Sequence, residues 1–264
     1  MSSPKRGIAS FLCAALFACG GGSGGTPGAS TPTTPAATPA ATRVTLHLAG
    51  DSTMGEPLPD RDPETGWGEE LQPLFQEDRL LVKNYSKRGR SSRTFLSEGF
   101  WAGVISSIKE GDYVIIQFGH NDGSVDEEQT PPAEYRANFT RFVMDVRARR
   151  GFPILATPVV VRRFNAAGAL EDTHGQYPDI VRAVARTEGA PLLDMQVLSA
   201  AVVAEYGPEA SKELFQHLSP GQHPNYPNGL VDNIHLSPKG ALVLAQRAAA
   251  GLKDMNSPLA AFLK

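Results

Sequence analysis

Short apolar runs, rich in branched and aromatic side chains, recur along the chain after residue 43. Five such runs stand out: Val44–Leu48, Leu80–Asn84, Tyr113–Phe118, Ile154–Thr157 and the very short Leu192–Leu193. A nearly continuous apolar run of this length is typical of a strand covered on both faces. The pattern therefore predicts five strands inside one folded domain.

Segments with helical periodicity lie between and after these runs. In the clearest of them, Val143, Val146 and Arg147 repeat at the spacing of one helix face. The predicted helices are Glu69–Gln76, Ala133–Arg149, Tyr177–Glu188 and Pro238–Leu252. Strands that alternate with helices favour parallel pairing through right-handed crossovers. We therefore expect an α/β fold: a three-layer α/β/α sandwich with a central, mostly parallel five-stranded sheet in flavodoxin-like order.

The first 19 residues have the pattern of an export signal. A basic pair, Lys5 and Arg6, precedes the apolar run Ile8–Phe17. A basic start followed by a short apolar stretch is typical of a signal peptide, and this stretch is too short to span a bilayer. Leu16–Cys19 also resembles a bacterial lipobox, which implies lipidation of Cys19. A plain signal peptide with an incidental cysteine is the alternative.

Residues 20–43 have the composition of a spacer. Apart from Arg43, every residue is Gly, Ala, Ser, Thr or Pro, so no large apolar side chain offsets the entropy of ordering the segment. We expect a lipoprotein-type signal peptide at 1–19, a flexible linker at 20–43 and a catalytic domain at 44–264. The protein would then be exported, as a cell-envelope lipoprotein of the outer membrane or periplasm, or secreted. Membrane contact would come only through the lipid, and a monomer is the expected state.

Charge and cysteine positions exclude several kinds of function. The chain of 264 residues has a formal charge of −3, but its basic residues are unevenly placed: residues 44–264 hold 22 basic against 28 acidic side chains, or −6. A nucleic-acid-binding domain normally has the opposite sign. Both cysteines, Cys13 and Cys19, precede the domain, which excludes a disulfide framework, a cysteine-based zinc site and a cysteine nucleophile within it. The histidines repeat no metal-site spacing, so we expect no metal and no cofactor.

Four polar segments are expected to follow strand ends, the last of them just before the final helix, at the sheet edge where such folds bind ligands. These segments are Gly50–Thr53, Gly89–Ser91, Gly119–Asp122 and Asp232–His235. Acyl transfer needs a hydroxyl nucleophile, a base and donors aimed at the developing oxyanion. Ser52 offers the hydroxyl and His235 the base, while Asp232 is spaced to reach the second imidazole nitrogen. The donors would be the backbone N–H groups of Ser52 and Gly89 and the side-chain amide of Asn121.

Each segment taken alone has a simpler explanation. Asp and Ser after a strand are common helix caps, and an Asp-x-x-His sequence is more often a surface turn than a catalytic pair. Taken together, in this order, the segments resemble the four blocks of the SGNH (GDSL-like) hydrolase superfamily, with Ser52, Gly89, Asn121 and His235 at its defining positions.

More narrowly, several stretches are similar to rhamnogalacturonan acetylesterases. The stretches are Gly50–Met54, Gly66–Gly68, Gly89–Phe95 and Gln117–Asp122. This resemblance spans about residues 44–252. It implies a serine esterase with Ser52, Asp232 and His235 as triad and Ser52, Gly89 and Asn121 as oxyanion hole. The implied substrate is an acetylated plant cell-wall polysaccharide, rhamnogalacturonan or pectin.

Arginines near two of the polar segments favour an acidic sugar, independently of the resemblance. Arg90 and Arg93 follow the second predicted strand, and Arg162 and Arg163 follow the fourth. Guanidinium groups match carboxylates bidentately, so these side chains could hold galacturonate, with Phe164 as a stacking surface. The alternative is that the arginines are solvated or pair with local acids.

Three other functions remain open at this point. The first is an SGNH esterase for another acetylated glycan, such as xylan or peptidoglycan. The second is a lipase, thioesterase or arylesterase of the same superfamily, which would favour an apolar cleft. The third, a surface lipoprotein that binds glycans without catalysis, fits poorly, because all four catalytic blocks are present.

Overall fold

The computed structural model describes residues 43–55 and 58–264. The predicted signal peptide, the predicted linker up to residue 42 and Cys19 lie outside the described residues. All five predicted strands are present: β1 (Val44–Gly50), β2 (Leu80–Asn84), β3 (Tyr113–Gln117), β4 (Phe152–Ala156) and β5 (Leu192–Leu193). They form one sheet in the order β2-β1-β3-β4-β5, and every pair is parallel. The predicted flavodoxin-like order is therefore confirmed.

Helices cover both faces of this sheet. They are α1 (Ser92–Ser97), α2 (Phe100–Ser107), α3 (Pro132–Ala148), α4 (Tyr177–Glu188), α5 (Met195–Ala210) and α6 (Pro238–Asp254). The predictions for α3, α4 and α6 are confirmed to within two residues at each end. The strands explain why both faces are covered: Ile115 packs into one apolar cluster, with Ala245 of α6, while Ile116 packs into the other, with Phe142 of α3. Successive strand residues point to opposite faces.

The predicted helix at Glu69–Gln76 is wrong. Within it, the structure contains only a short 3-10 turn, Gln72–Leu74. Pro73 lies in the middle of the span, and a proline there removes a backbone donor and clashes with the preceding helical turn. Two apolar residues of this span at helical spacing, Leu71 and Phe75, are fully buried all the same. Buried residues of an irregular segment therefore have, by their spacing, the same pattern as one face of an amphipathic helix.

A second, two-stranded sheet carries one of the polar segments. It pairs β6 (Phe215–Leu218) with β7 (Leu230–Leu236) in antiparallel orientation. The segment Asp232–His235 therefore lies inside a strand, so the expectation that it follows one is wrong. The polar residues of this segment interrupt the apolar pattern of β7, and two apolar residues of the strand, Val231 and Ile234, are exposed. The sequence of β7 therefore lacks the regular alternation of apolar and polar residues that predicts a half-buried strand.

The start of α6 fixes where β7 ends. Oγ of Ser237 accepts the N–H of Gly240 at 3.1 Å, and Pro238 occupies the first turn, where a missing N–H costs nothing. His235 therefore lies two residues before Ser237, the N-cap of α6. Over the residues that the structure describes, no helix is both long and apolar enough to cross a membrane.

Candidate active site

Ser52 lies in the tight turn that follows β1. The turn is held by Asp51, whose Oδ1 accepts the backbone N–H of Thr53 at 2.9 Å and its hydroxyl at 2.7 Å. Gly50 is required at the strand end, because a Cβ there would come within 2.8 Å of the Gln117 carbonyl oxygen. Burial raises the pKa of Asp51, against the opposing effect of its two bonds from Thr53. The turn thus presents Ser52 at the carboxyl edge of the sheet.

Ser52, His235 and Asp232 form a continuous hydrogen-bonded chain. Oγ of Ser52 lies 3.0 Å from Nε2 of His235, and Nδ1 of His235 lies 2.7 Å from Oδ2 of Asp232. An ionised carboxylate only accepts hydrogen bonds, so Nδ1 carries the hydrogen and Nε2 is left to accept the Ser52 hydroxyl. The structure brings together the three residues predicted as a triad, in the arrangement that proton transfer from the hydroxyl needs.

Asp232 is held in its charged form. Burial alone would raise its pKa, but four interactions outweigh it and lower the pKa to about 2. They are the hydrogen bond and charge of His235 and two backbone donors, Ile234 N–H at 2.7 Å and His235 N–H at 3.0 Å to Oδ1. An ionised Asp232 fixes the imidazole tautomer and would stabilise the imidazolium.

The three predicted oxyanion donors lie in the loops after β1, β2 and β3, and hydrogen bonds join these loops. The Lys87 N–H donates to the Gly50 carbonyl at 2.9 Å, which joins the loop after β2 to the end of β1. In that loop, Gly89 has a φ of +67°, a left-handed conformation that favours glycine. Nδ2 of Asn121 donates to the Arg90 carbonyl at 3.1 Å, which joins the loop after β3 to the same loop. That bond uses one amide hydrogen and leaves the second for a ligand.

Hydrogen bonds and ring contacts of its two neighbours, Asp122 and His120, hold the loop of Asn121 in place. Oδ1 of Asp122 accepts the N–H and the hydroxyl of Ser92, at 2.9 and 2.6 Å, and burial raises the pKa of Asp122 to about 7. His120 and His174 meet edge to face, with 3.3 Å between Nδ1 of His120 and Nε2 of His174. Burial lowers the pKa of each to about 3, so both are neutral near pH 7. These contacts anchor Asp122 and His120 on either side of Asn121.

Two charged residues that were not predicted as site residues form an ion pair, and the acidic one lies beside the imidazole. Oε1 of Glu64 is 3.8 Å from Nε2 of His235, and the same oxygen accepts a hydrogen bond from Nη1 of Arg88. Glu64 is two residues before the Gly66–Gly68 stretch, and Arg88 is next to Gly89. Proximity to these two segments is the signal that could have found them.

The predicted substrate-binding arginines all have partners within the chain. Nε of Arg90 pairs with Glu98 and Nε of Arg163 with Glu171, each at 2.8 Å. Arg93 donates to the carbonyl groups of Gln129 and Glu127. Arg90 and Arg163 therefore pair with local acids in the structure, and a sugar contact by any of the four arginines stays a prediction.

Arg162 is the most constrained of the four. Nε donates to Ser211 Oγ at 3.0 Å, Nη1 to Asn233 Oδ1 at 2.9 Å, and Nη2 to the Pro208 carbonyl. Its guanidinium carbon also lies 5.6 Å above the ring centre of Phe164. The side chain predicted to bind sugar is used to join the loop after β4 to β7. A stacking role for Phe164 stays a prediction.

Comparisons with known proteins show which family and which relatives the chain resembles. The model of the GDSL-like lipase/acylhydrolase family matches residues 48–243. The chain is 38% identical to the Bacillus subtilis rhamnogalacturonan acetylesterase RhgT, over 82% of this chain and 92% of that protein. It is 30% identical to the probable rhamnogalacturonan acetylesterase YesY of the same species, over 81% and 94%. The crystal structure of B. subtilis YxiM superposes with a TM-score of 0.71 at 26% identity, covering 83% of this chain and 58% of that one.

Proposed function

We propose that this chain, which belongs to the GDSL-like lipase/acylhydrolase family and is a carboxylic ester hydrolase, removes acetyl groups from a polysaccharide through an acetyl-serine intermediate. The observation that carries the proposal is the chain of hydrogen bonds from Ser52 through His235 to Asp232. A serine hydroxyl becomes a nucleophile when an adjacent base takes its proton, and the base is effective when a third group orients it. The hydroxyl, the base and the group that orients the base are hydrogen-bonded in this order.

In the proposed reaction, Ser52 Oγ attacks the acetyl carbonyl carbon as His235 Nε2 takes the hydroxyl proton. The N–H groups of Ser52 and Gly89 and the amide of Asn121 would receive the oxyanion. The tetrahedral intermediate then expels the sugar oxygen, which takes the proton from His235. A water molecule next gives its proton to His235 and attacks the acetyl carbon, which releases acetate and restores Ser52.

Acetylated rhamnogalacturonan is the substrate that we propose. Two relatives carry that activity in their names, one of them matched over 92% of its length. The loop after β2, which holds Gly89, also holds Lys87 and Arg90, and the exposed pair of Arg90 with Glu98 could be exchanged for a galacturonate carboxylate of this polymer. We further propose that the enzyme acts outside the cytoplasm as a lipoprotein, on the strength of the sequence pattern around Cys19.

Acetate release from two polymers tests this proposal. Acetylated rhamnogalacturonan and acetylated xylan are offered at equal acetyl content, with the Ser52→Ala protein as the blank. We expect acetate release above the blank from both polymers or from rhamnogalacturonan alone, and in either case faster release from rhamnogalacturonan than from xylan. Faster release from xylan would make the substrate wrong and leave the acetylesterase right. Release from neither polymer, with hydrolysis of a small aryl ester intact, would contradict the carbohydrate assignment.

A further inference from the structure

A second carboxylate faces the imidazole from the side opposite Asp232. Glu64 Oε1 lies 3.8 Å from His235 Nε2, the nitrogen that faces Ser52, while Asp232 occupies Nδ1. The distance is too long for a hydrogen bond but short enough for a charge interaction, and the Glu64 side chain is only 6% exposed. A positive charge on His235 would therefore be stabilised from both sides.

Arg88 occupies the oxygen of Glu64 that faces His235. Its Nη1 donates to Oε1, the same atom that lies near Nε2, and the guanidinium side chain is mostly covered. Once His235 is protonated, a carboxylate free to rotate could accept the Nε2 hydrogen of the imidazolium directly and displace Ser52 from it. The bond from Arg88 holds Glu64 away from that position.

The backbone around Glu64 is fixed to both parts of the site. The Thr65 N–H donates to the Leu236 carbonyl at 3.1 Å, next to His235 in β7. The Trp67 N–H donates to the Thr53 carbonyl at 3.0 Å, next to Ser52. The distance from Glu64 to the imidazole is thus set by main-chain bonds to both β7 and the Ser52 turn.

We propose that Glu64 and Arg88 are positioning residues for the reaction. Glu64 stabilises the imidazolium that His235 becomes, and Arg88 prevents Glu64 from taking the place of Ser52. The inference rests on the proposed role of His235 as the base. It adds a charged pair to the three residues of the hydrogen-bonded chain.

The other ionisable groups that act on the imidazole differ from Glu64 in charge or position. Asp232 holds Nδ1, and its pKa is lowered to about 2, so it stays charged. Asp51 and His120 also act on His235 through space. Burial raises the pKa of Asp51 and lowers that of His120 to about 3, and His120 is therefore neutral in the working range. Glu64 is the carboxylate next to the nitrogen that exchanges the proton.

The first test is the pH–rate profile of Glu64→Gln on a small neutral aryl acetate. Loss of the negative charge makes the imidazole easier to deprotonate, so the acidic limb of kcat/KM should move to lower pH by about one unit. The plateau should fall about three- to tenfold, because the base is weaker and the imidazolium less stabilised. Glu171→Gln, which removes the carboxylate paired with Arg163, is the matched control and should keep the parent profile.

The second test uses Arg88→Gln and the double variant Glu64→Gln/Arg88→Gln. Without Arg88, Glu64 should turn to Nε2, so Arg88→Gln should lower kcat about tenfold or more on the same ester. The double variant should be faster than Arg88→Gln, because the competing carboxylate is gone, and Arg88→Lys should recover most of the parent rate. Melting temperatures show whether each variant is folded. If Glu64→Gln does not fold, Glu64→Asp, which shortens the side chain that carries the carboxylate, takes its place in the first test.

The outcomes separate this inference from the proposed function. An unmoved acidic limb in a folded Glu64→Gln protein, or a double variant no faster than Arg88→Gln, overturns the positioning role. Ser52→Ala is measured alongside. If it is as active as the parent, the proposed chemistry is wrong; if it is inactive while the Glu64 profile is unmoved, only the present inference fails.

Discussion

Arg162 is bonded twice to Asn233, once through its side chain and once through its backbone. Nη1 of Arg162 donates to Oδ1 of Asn233 at 2.9 Å, and the Arg162 N–H donates to the Asn233 carbonyl at 2.8 Å. Oδ1 of Asn233 also lies 2.9 Å from Nε2 of His217 on the paired strand. Because Asn233 directly follows Asp232 in β7, these contacts fix the strand that carries both Asp232 and His235.

Arg162→Ala should therefore slow hydrolysis of a small neutral ester, which a residue that only binds polymer would not affect. Small displacements of a catalytic group cost up to about 100-fold in rate, and we expect a loss in kcat of about tenfold. The measurement is the kinetics of aryl acetate hydrolysis.

Arg163→Ala is the matched control for this effect. Its guanidinium is well exposed and pairs with Glu171, so its loss should leave kcat on the small ester unchanged. If Arg162→Ala raised KM for the polymer and spared the small ester, Arg162 would be a substrate contact instead.

Ser52→Ala should remove esterase activity while leaving the fold intact. The hydroxyl touches His235 and contributes little packing, so the thermal unfolding midpoint should hardly change. Loss of a triad member leaves only a small residual rate, from the oxyanion donors and binding. Hydrolysis above about a hundredth of the parent rate would show that Ser52 is not the nucleophile. Asp232→Ala should be less severe than His235→Ala.

The parts of the fold that the sequence predicted are those with a strong, regular signal. Buried strands such as β3 have continuous apolar runs, and α4 has a clear apolar stripe that ends at Gly189. The helices that were not predicted lack this regularity. α1 and α2 have six and eight residues, separated by Gly99 with a φ of +84°. α5 exposes Val197 while burying Val202 and is kinked at Gly207, so no single stripe marks it.

The candidate site was predicted where short local motifs carry it. Ser52, Asn121 and His235 each lie in a segment of recognisable chemistry, and the parallel sheet brings the first two together. The place of Glu64 beside His235 and the role of Arg162 in holding β7 were not predicted, because both come from contacts between loops far apart in sequence. In the sequence Glu64 and Arg162 look like ordinary surface residues. Only the folded structure shows that Glu64 lies beside Nε2 of His235 and that Arg162 binds Asn233.

Folding stability should depend on pH through the His120–His174 pair. Burial lowers the pKa of both to about 3, whereas an unfolded histidine titrates near 6.5. Between these values the unfolded chain binds protons that the folded chain does not, so stability falls as the pH drops from 6.5 towards 3. Each group contributes a slope of up to about 1.4 kcal/mol per pH unit.

Urea unfolding of the parent and of His174→Gln at pH 7 and pH 5 measures this contribution. The parent should lose more stability than the variant over that interval. Asp122 acts in the opposite direction, since its raised pKa of about 7 lets the folded form bind a proton first as the pH falls. The difference between the two proteins is therefore the informative quantity. Equal losses would mean that His174 titrates in the folded state as it does when unfolded.

Cys19→Ser should move the protein out of the membrane fraction. Cys19 lies outside the described residues, and this prediction rests on the sequence pattern alone. Stable anchoring needs two or more acyl chains, so a lipidated protein should resist salt and be extracted by detergent. The variant should be found uncleaved, or soluble in the envelope. Complete release of the parent by high salt would favour a plain secretory signal.

Arg90 is the rim arginine best placed to contact an acidic sugar. It follows Gly89 in the loop after β2, and its guanidinium and the Glu98 carboxylate that it pairs with are each about one-third exposed. A surface ion pair contributes little stability, so a galacturonate carboxylate could compete with Glu98 for this guanidinium. The Arg90 carbonyl, which accepts the Asn121 amide, is retained in an alanine variant.

Arg90→Ala should therefore raise KM for acetylated rhamnogalacturonan and leave hydrolysis of a small neutral acetate almost unchanged. Hydrogen bonds to charged groups contribute about 1.5–3 kcal/mol, which corresponds to a rise of about 10- to 150-fold. Added salt should weaken the polymer reaction of the parent more than that of the variant. Glu98→Gln is the matched control, because it releases Arg90 without removing it and should not raise KM. An equal effect of Arg90→Ala on polymer and small ester would mean that Arg90 supports the Asn121 loop and does not bind the sugar.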